Sequence, residues 1–180
     1  MVYMFLAEGF EEIEALCPLD LLRRAGVEVK TVAVGKDKTV VGAHNILVVA
    51  DMCESEFSDV HPEMVILPGG MPGTLNLDAS EVVHKAIDSA VCNNAYIAAI
   101  CAAPSILGKK GLLCGKEAIC YPGFEHKLDG AVISKNRVVV DGNIITAAGM
   151  GVALEFGLAL VSLVCNKDKA DELRKGVIAD

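Results

Sequence analysis

Cys101 is the residue best placed by its neighbours to do chemistry. Before it, Ala95-Tyr96-Ile97-Ala98-Ala99-Ile100 is a short apolar run bounded by Asn93-Asn94, which reads as a buried strand. After it, Ala102-Ala103-Pro104-Ser105-Ile106-Leu107 reads as a helix start with proline in the first turn. A cysteine at this junction stands on a sharp strand-to-helix elbow, a place that exposes the nucleophile in many α/β enzymes. The positive end of the following helix favours thiolate, the reactive form of the thiol. Small Ala102 and Ala103 leave the next backbone amides open to a developing oxyanion. The competing reading is a small, inert core cysteine.

Two other segments carry residues of chemical interest. Glu8, Glu11, Glu12 and Glu14 crowd the start of the first amphipathic stretch. Glu8 and Glu12 read as solvated carboxylates favoured by a helix N-terminus. Glu14 falls among Ile13, Leu16 and Cys17, so it is either a surface group or a carboxyl in a dry cleft. In a dry cleft its pKa rises, and it can hold and carry a proton. Leu67-Pro68-Gly69-Gly70-Met71-Pro72-Gly73 lets backbone amides approach a ligand closely, or serves as a plain strand-to-helix turn. It lacks the Gly-Lys-Ser/Thr of a phosphate-binding P-loop. His44, His61, His84 and His126 read as surface or loop residues.

These residues need a scaffold. The 180 residues suit one domain, and a hydrophobic fraction of 53% with no Trp implies an aliphatic core. A net charge of −8 argues against nucleic acid or an anionic membrane as partner. Val152–Cys165 is too short and carries Glu155, so no transmembrane span is expected, and Met1–Ala7 lacks the basic flank of a signal peptide. Seven cysteines without CxxC spacing suggest reduced thiols in a cytoplasmic protein and no metal site.

The pattern predicts strands at Val2–Leu6, Val27–Val34, Ile46–Ala50, Met64–Leu67 and Ala95–Ile100. It predicts helices over Glu11–Arg24, kinked or split at Pro18, over Glu81–Cys92 capped by Ser80, after Cys101, over Gly151–Val164 and over Lys167–Lys175. Arg137–Val140 and Asn143–Ala147 read as a hairpin turning at Asp141-Gly142. Strands alternating with helices imply a doubly wound, mostly parallel sheet sandwiched by helices. Its ligands would bind at the carboxyl ends of the strands.

Ala7-Glu8-Gly9-Phe10-Glu11-Glu12-Ile13-Glu14, Leu67-Pro68-Gly69-Gly70 and Ala98-Ala99-Ile100-Cys101-Ala102-Ala103-Pro104 resemble signature segments of the ThiJ/PfpI superfamily. More narrowly they resemble the branch of the Parkinsonism-associated protein deglycase. Leu19–Gly26 and Glu155–Ala159 extend the match, so it covers nearly the whole chain. The resemblance implies a flavodoxin-like single domain and a homodimer. It places the nucleophile at Cys101, a hydrogen-bonding carboxyl at Glu14, and oxyanion amides at Gly70 and Ala102. Tyr121, Glu11 and Gly69 are candidate substrate contacts. Ala102 stands where the protease-type branch has a His, and Tyr121 where the deglycase branch has one; His44 replaces an anion-binding Arg.

The function so implied is cofactor-free, metal-free glyoxalase or deglycase chemistry on a small reactive aldehyde or glycated substrate. The alternative is a redox sensor or chaperone with Cys101 oxidised to sulfinate. Protease and thiamine-biosynthesis roles, which some relatives carry, rank below these. A flavin-binding module fares worse still, since no phosphate-cradling loop follows the first strand.

Overall fold

In the computed structural model, which describes residues 1–58 and 61–179, strands and helices alternate along the chain. The elements are β1 (Val2–Leu6), α1 (Glu12–Arg24), β2 (Val29–Ala33), β3 (Thr39–Val41), β4 (Leu47–Val49), β5 (Met52–Cys53), β6 (Met64–Leu67), α2 (Gly73–Ala79) and α3 (Glu81–Cys92). There follow β7 (Tyr96–Ile100), α4 (Pro104–Lys109), β8 (Glu117–Ala118), β9 (Val132–Ile133), β10 (Val138–Asp141), β11 (Ile144–Ala147), α5 (Ala153–Val164) and α6 (Lys167–Gly176).

Seven strands form one sheet in the order β10-β11-β7-β6-β1-β2-β5, parallel except for β10. The order runs both ways from β1, so the β1–β6 boundary is a switch point where loops diverge and leave a crevice. Side chains alternate across the sheet. Val2, Met4 and Leu6 face a core shared with α1, α5 and α6, whereas Tyr3, Phe5 and Ala7 face one shared with α2, α3 and α4. Burial on both faces explains why β1 is apolar throughout.

Local rules account for several boundaries. The Ser80 hydroxyl accepts the Val83 amide at 3.3 Å and starts α3. Helix α1 is continuous through Pro18 rather than split there. Pro18 faces Gly157 of α5, where a Cβ would lie 2.9 Å from the Pro18 Cα. The β10–β11 hairpin turns at Gly142-Asn143, one residue later than expected, because Asp141 pairs with Ile144 and Gly142 takes the positive φ of 61°.

The expected strand at Ile46–Ala50 is not part of the main sheet. Its central residues form β4, which pairs antiparallel with β3 as a separate hairpin, and the sheet edge is the two-residue β5. Strand β2 is shorter at both ends than the expected Val27–Val34, and α5 begins at Ala153 after a single 3-10 turn at Met150–Val152. No helix among the described residues is long and apolar enough to cross a membrane.

Candidate active site

The carboxyl ends of β1, β6, β7 and β11 converge on Cys101. The end of β7 leads directly into it, and its amide donates to the Ala147 carbonyl at the end of β11, 2.9 Å. Cys101 has φ 65°, a left-handed conformation uncommon for a residue with a side chain. Such strain, on the order of 1–3 kcal/mol, persists only where surrounding structure enforces it. Here both flanks are fixed, by β7 before and by α4 with Pro104 in its first turn after. The elbow read from the sequence is therefore present, with a half-buried thiol at its tip.

Glu14 reaches the thiol from α1. Glu11 caps that helix, its Oε2 accepting the Glu14 amide at 2.7 Å. This fixes the first turn and sends the Glu14 side chain inward, where it is 1% exposed. Gly69 at the end of β6 donates its amide to Glu14 Oε2 at 3.0 Å. A Cβ at Gly69 would lie 2.6 Å from both Cys101 Cβ and Glu14 Oε2, so only glycine lets the three meet. The Glu14 carboxyl lies beside the Cys101 thiol and couples to it electrostatically, with the Gly70 and Ala102 amides facing the sulfur.

The electrostatics differ from the sequence expectation. Burial pushes Glu14 up to about 7, assisted by the charge of Glu11 and opposed by the bonds from Cys101, Gly69 and Met150. Burial likewise pushes Cys101 up to about 12, joined by the charge and hydrogen bond of Glu14; the Gly70 and Ala102 amides pull the other way without prevailing. The helix terminus alone does not make this thiol acidic. Two groups that interact this closely titrate as a pair, and between these values the pair holds one proton and one negative charge. Placing the proton on Glu14 puts the charge on sulfur.

The cleft over the thiol has a volume of about 200 Å³ and is walled by Gly70, Met71, Tyr121 and Phe124. Tyr121 is half exposed; its amide donates to the Cys101 carbonyl at 2.7 Å, which holds its ring at the rim. Gly149, in the loop after β11, lies between the Tyr121 ring and Glu14: a Cβ there would stand 3.3 Å from the first and 3.7 Å from the second. Sequence reasoning did not single out Gly149, Met71 or Phe124. The glycine-rich turn after a buried strand at Ala147–Gly151 was the available signal for the first. Cys17 is half-buried against the α1–α5 core and does not line the cleft.

Glu12 also departs from its expected place. It is 2% exposed rather than solvated, and His44, an exposed loop residue as expected, is its partner. The Glu12 carboxylate accepts the His44 amide at 2.7 Å and lies 2.8 Å from His44 Nδ1. Glu11, Glu12 and His44 place potential metal-ligating atoms within 4.8 Å of one another, though the Glu12 carboxylate and the His44 ring already engage each other. His61 pairs with Asn93, and His84 with the Asp78 carbonyl.

A strained cysteine elbow at the carboxyl edge of a parallel sheet, facing a buried carboxyl, defines an α/β protein of the nucleophile-elbow class. The chain belongs to the DJ-1/PfpI family, whose profile matches residues 1–163. It is 38% identical over 170 residues to Protein DJ-1 homolog B of Arabidopsis thaliana, a match covering 93% of this chain and 39% of that protein. The chain thus spans about two fifths of the length of that plant relative. The Glutathione-independent glyoxalase DJ-1 of Schizosaccharomyces pombe is 28% identical over 186 residues, covering 98% of this chain and 97% of that one. A crystal structure of a DJ-1 superfamily protein from Salmonella typhimurium superposes with a TM-score of 0.93 at 34% identity, covering 98% of this chain and 97% of that one.

Proposed function

We propose that the protein is a cofactor-free glyoxalase that converts methylglyoxal to lactate, with Cys101 as nucleophile and Glu14 as proton carrier. The observation that carries this reading is the buried Glu14 carboxyl packed beside Cys101 over Gly69, where burial pushes it up to about 7. A carboxyl in that range is matched to moving protons at neutral pH. The presence of a glyoxalase among the relatives supports it.

The steps balance without an external oxidant. The Cys101 thiolate adds to the aldehyde carbon, and Glu14 protonates the resulting oxyanion to give a hemithioacetal. Ionised Glu14 then removes the proton from that carbon and returns it to the neighbouring carbonyl carbon, through an enediol. The first carbon is thereby oxidised to a thioester while the second is reduced to an alcohol. Water cleaves the thioester, releasing lactate and restoring the thiol. The Gly70 and Ala102 amides, which face the sulfur, are donors for the oxyanion formed beside it. Tyr121, at the rim, donates to bound substrate and supplies no base, since a neutral phenol cannot accept a proton at pH 7.

The test is lactate production from methylglyoxal without added thiol, by wild type and by Cys101→Ser. Turnover that survives the substitution sinks the reading. The same reading carries a homodimer. Exposed Leu47 and Val49 on the β4 strand supply an apolar surface for it, and sedimentation at micromolar concentration decides it.

A further inference from the structure

Tyr121-Pro122-Gly123-Phe124 is a sequence built to turn. The Phe124 amide donates to the Tyr121 carbonyl at 3.0 Å, and Gly123 takes a positive φ of 96°. Proline in the second place and a left-handed glycine in the third are the marks of a type II turn. The turn is pinned at both ends. The Tyr121 amide donates to the Cys101 carbonyl at 2.7 Å, and Gly123 donates to Glu125 Oε2 at 2.7 Å. Phe124 packs against the core shared with α2, α3 and α4, and Lys127 Nζ stands 4.8 Å from its ring centroid. Two aromatic residues are thereby fixed along the cleft that contains the thiol.

That cleft is apolar. Met71, Tyr121 and Phe124 supply its large side chains, with Gly70 and Ala102 between them. Met71 is 42% and Tyr121 50% exposed, so apolar surface is held open to water around a nucleophile. Covering such surface is favourable, and walls already in position cost little to order. The volume of about 200 Å³ is room for about six waters at ~30 Å³ each. Methylglyoxal, whose tail is a single methyl group, leaves part of it unfilled. A hydroxylated tail would lose water there and meet an apolar wall, a net cost unless a partner replaces the lost hydrogen bond.

We propose that the cleft selects 2-oxoaldehydes with an apolar tail, held against Met71, Tyr121 and Phe124 while the aldehyde carbon lies at Cys101. This rests on the glyoxalase reading and narrows its substrate class. The chemistry is unchanged: the aldehyde carbon is oxidised to a carboxylate, the neighbouring ketone carbon is reduced to an alcohol, and water supplies the added oxygen. A 2-hydroxy acid leaves with its tail intact.

The test measures kcat/KM for methylglyoxal, 2-oxohexanal and the near-isosteres 2-oxobutanal and 3-hydroxy-2-oxopropanal. The six-carbon compound is expected to exceed methylglyoxal about tenfold, mainly through KM, because its extra methylenes are covered. The terminal methyl is preferred to the terminal hydroxyl by about tenfold. Phe124→Ser lowers the ratio of 2-oxohexanal to methylglyoxal about fivefold, and Phe124→Leu, which restores an apolar wall, keeps it within twofold. A ratio within one variant is independent of how much of that variant is folded. Equal rates for the two isosteres, or a ratio that Phe124→Ser leaves unmoved, overturn the proposal. In parallel, 2-hexanone, which has no aldehyde, is titrated into Cys101→Ser and followed by amide NMR. Shifts at Gly70, Tyr121 and Phe124 that weaken when Phe124→Ser is added support the proposal, and their absence overturns it. A wild type that turns over none of the four aldehydes refutes the glyoxalase reading, and the 2-hexanone titration then still decides what the cleft binds.

Discussion

Glu12 and Glu14 lie two residues apart in the first turn of α1, both exposed by 2% or less, yet their environments push them in opposite directions. Burial raises Glu12 too, but the His44 ring and the amides of His44 and Ile46 outweigh it, and the carboxyl ends below its ordinary value. Glu14 receives fewer compensating donors and has Glu11 nearby as a like charge, so burial prevails and its value rises to about 7. Burial therefore does not decide what a carboxyl does; the donors that follow it into the interior decide. Glu12, held charged at neutral pH, clamps the loop between β3 and β4 onto α1. Glu14, able to exchange its proton at neutral pH, is the one matched to the proton transfer we propose.

The largest expected effect separates the two by substitution. Glu14→Gln keeps the shape and removes the proton carrier, so methylglyoxal turnover falls by about 10²- to 10⁴-fold. The same change removes the charge that raises the thiol, so Cys101 alkylation by iodoacetamide at pH 8 becomes faster. Turnover near wild type in this variant would make Glu14 a bystander. Glu12→Gln, by contrast, leaves turnover within about threefold and lowers stability by about 1–3 kcal/mol through weakened bonds to a buried carboxylate. Chemical denaturation measures that loss.

The pH profile offers a second division. In the proposed reaction the Cys101–Glu14 pair needs one negative charge, which it acquires as Glu14 titrates near 7. Below that value kcat/KM rises about tenfold per pH unit and then levels off; Glu14→Gln abolishes that limb. Stability carries the opposite sign at the two sites. Folded Glu14 holds its proton more tightly than an ordinary carboxyl at 4.5, so its stabilising contribution is complete below 4.5 and lost as pH rises through about 7. Relative to Glu14→Gln, the wild-type Tm therefore declines by a few degrees between pH 5 and 8. Folded Glu12 is depressed, so its contribution is present above 4.5 and lost as the medium is acidified through its folded value. His44→Ala gives the smallest effect, because the ring is exposed and the His44 amide bond to Glu12 remains. A slight fall in Tm with unchanged turnover is expected, and a large activity loss would tie His44 to the reaction.

How much of this could be read in the chain depends on locality. Strands β1 and β6 and helix α3 appear where the pattern predicts them, because a continuous apolar run or a Ser80 cap is a short-range signal. The Cys101 elbow is legible for the same reason: strand, cysteine and helix-starting proline are consecutive. The β3–β4 hairpin is not, since three-residue strands carry little periodicity and their pairing is a tertiary fact. Helix α2 hides behind Pro72-Gly73, residues that usually announce a turn. Glu12 is misread because its partner lies 32 positions away and nothing near it signals burial.

Gly69 has a consequence for how such a protein can diversify. No side chain can be inserted between Cys101 and Glu14, so the reacting pair is insulated from ordinary point mutation at its inner wall. Variation is confined to the outer wall, where Met71, Tyr121 and Phe124 project into the cleft. A lineage, or a designer, can change what this site accepts while inheriting its chemistry intact.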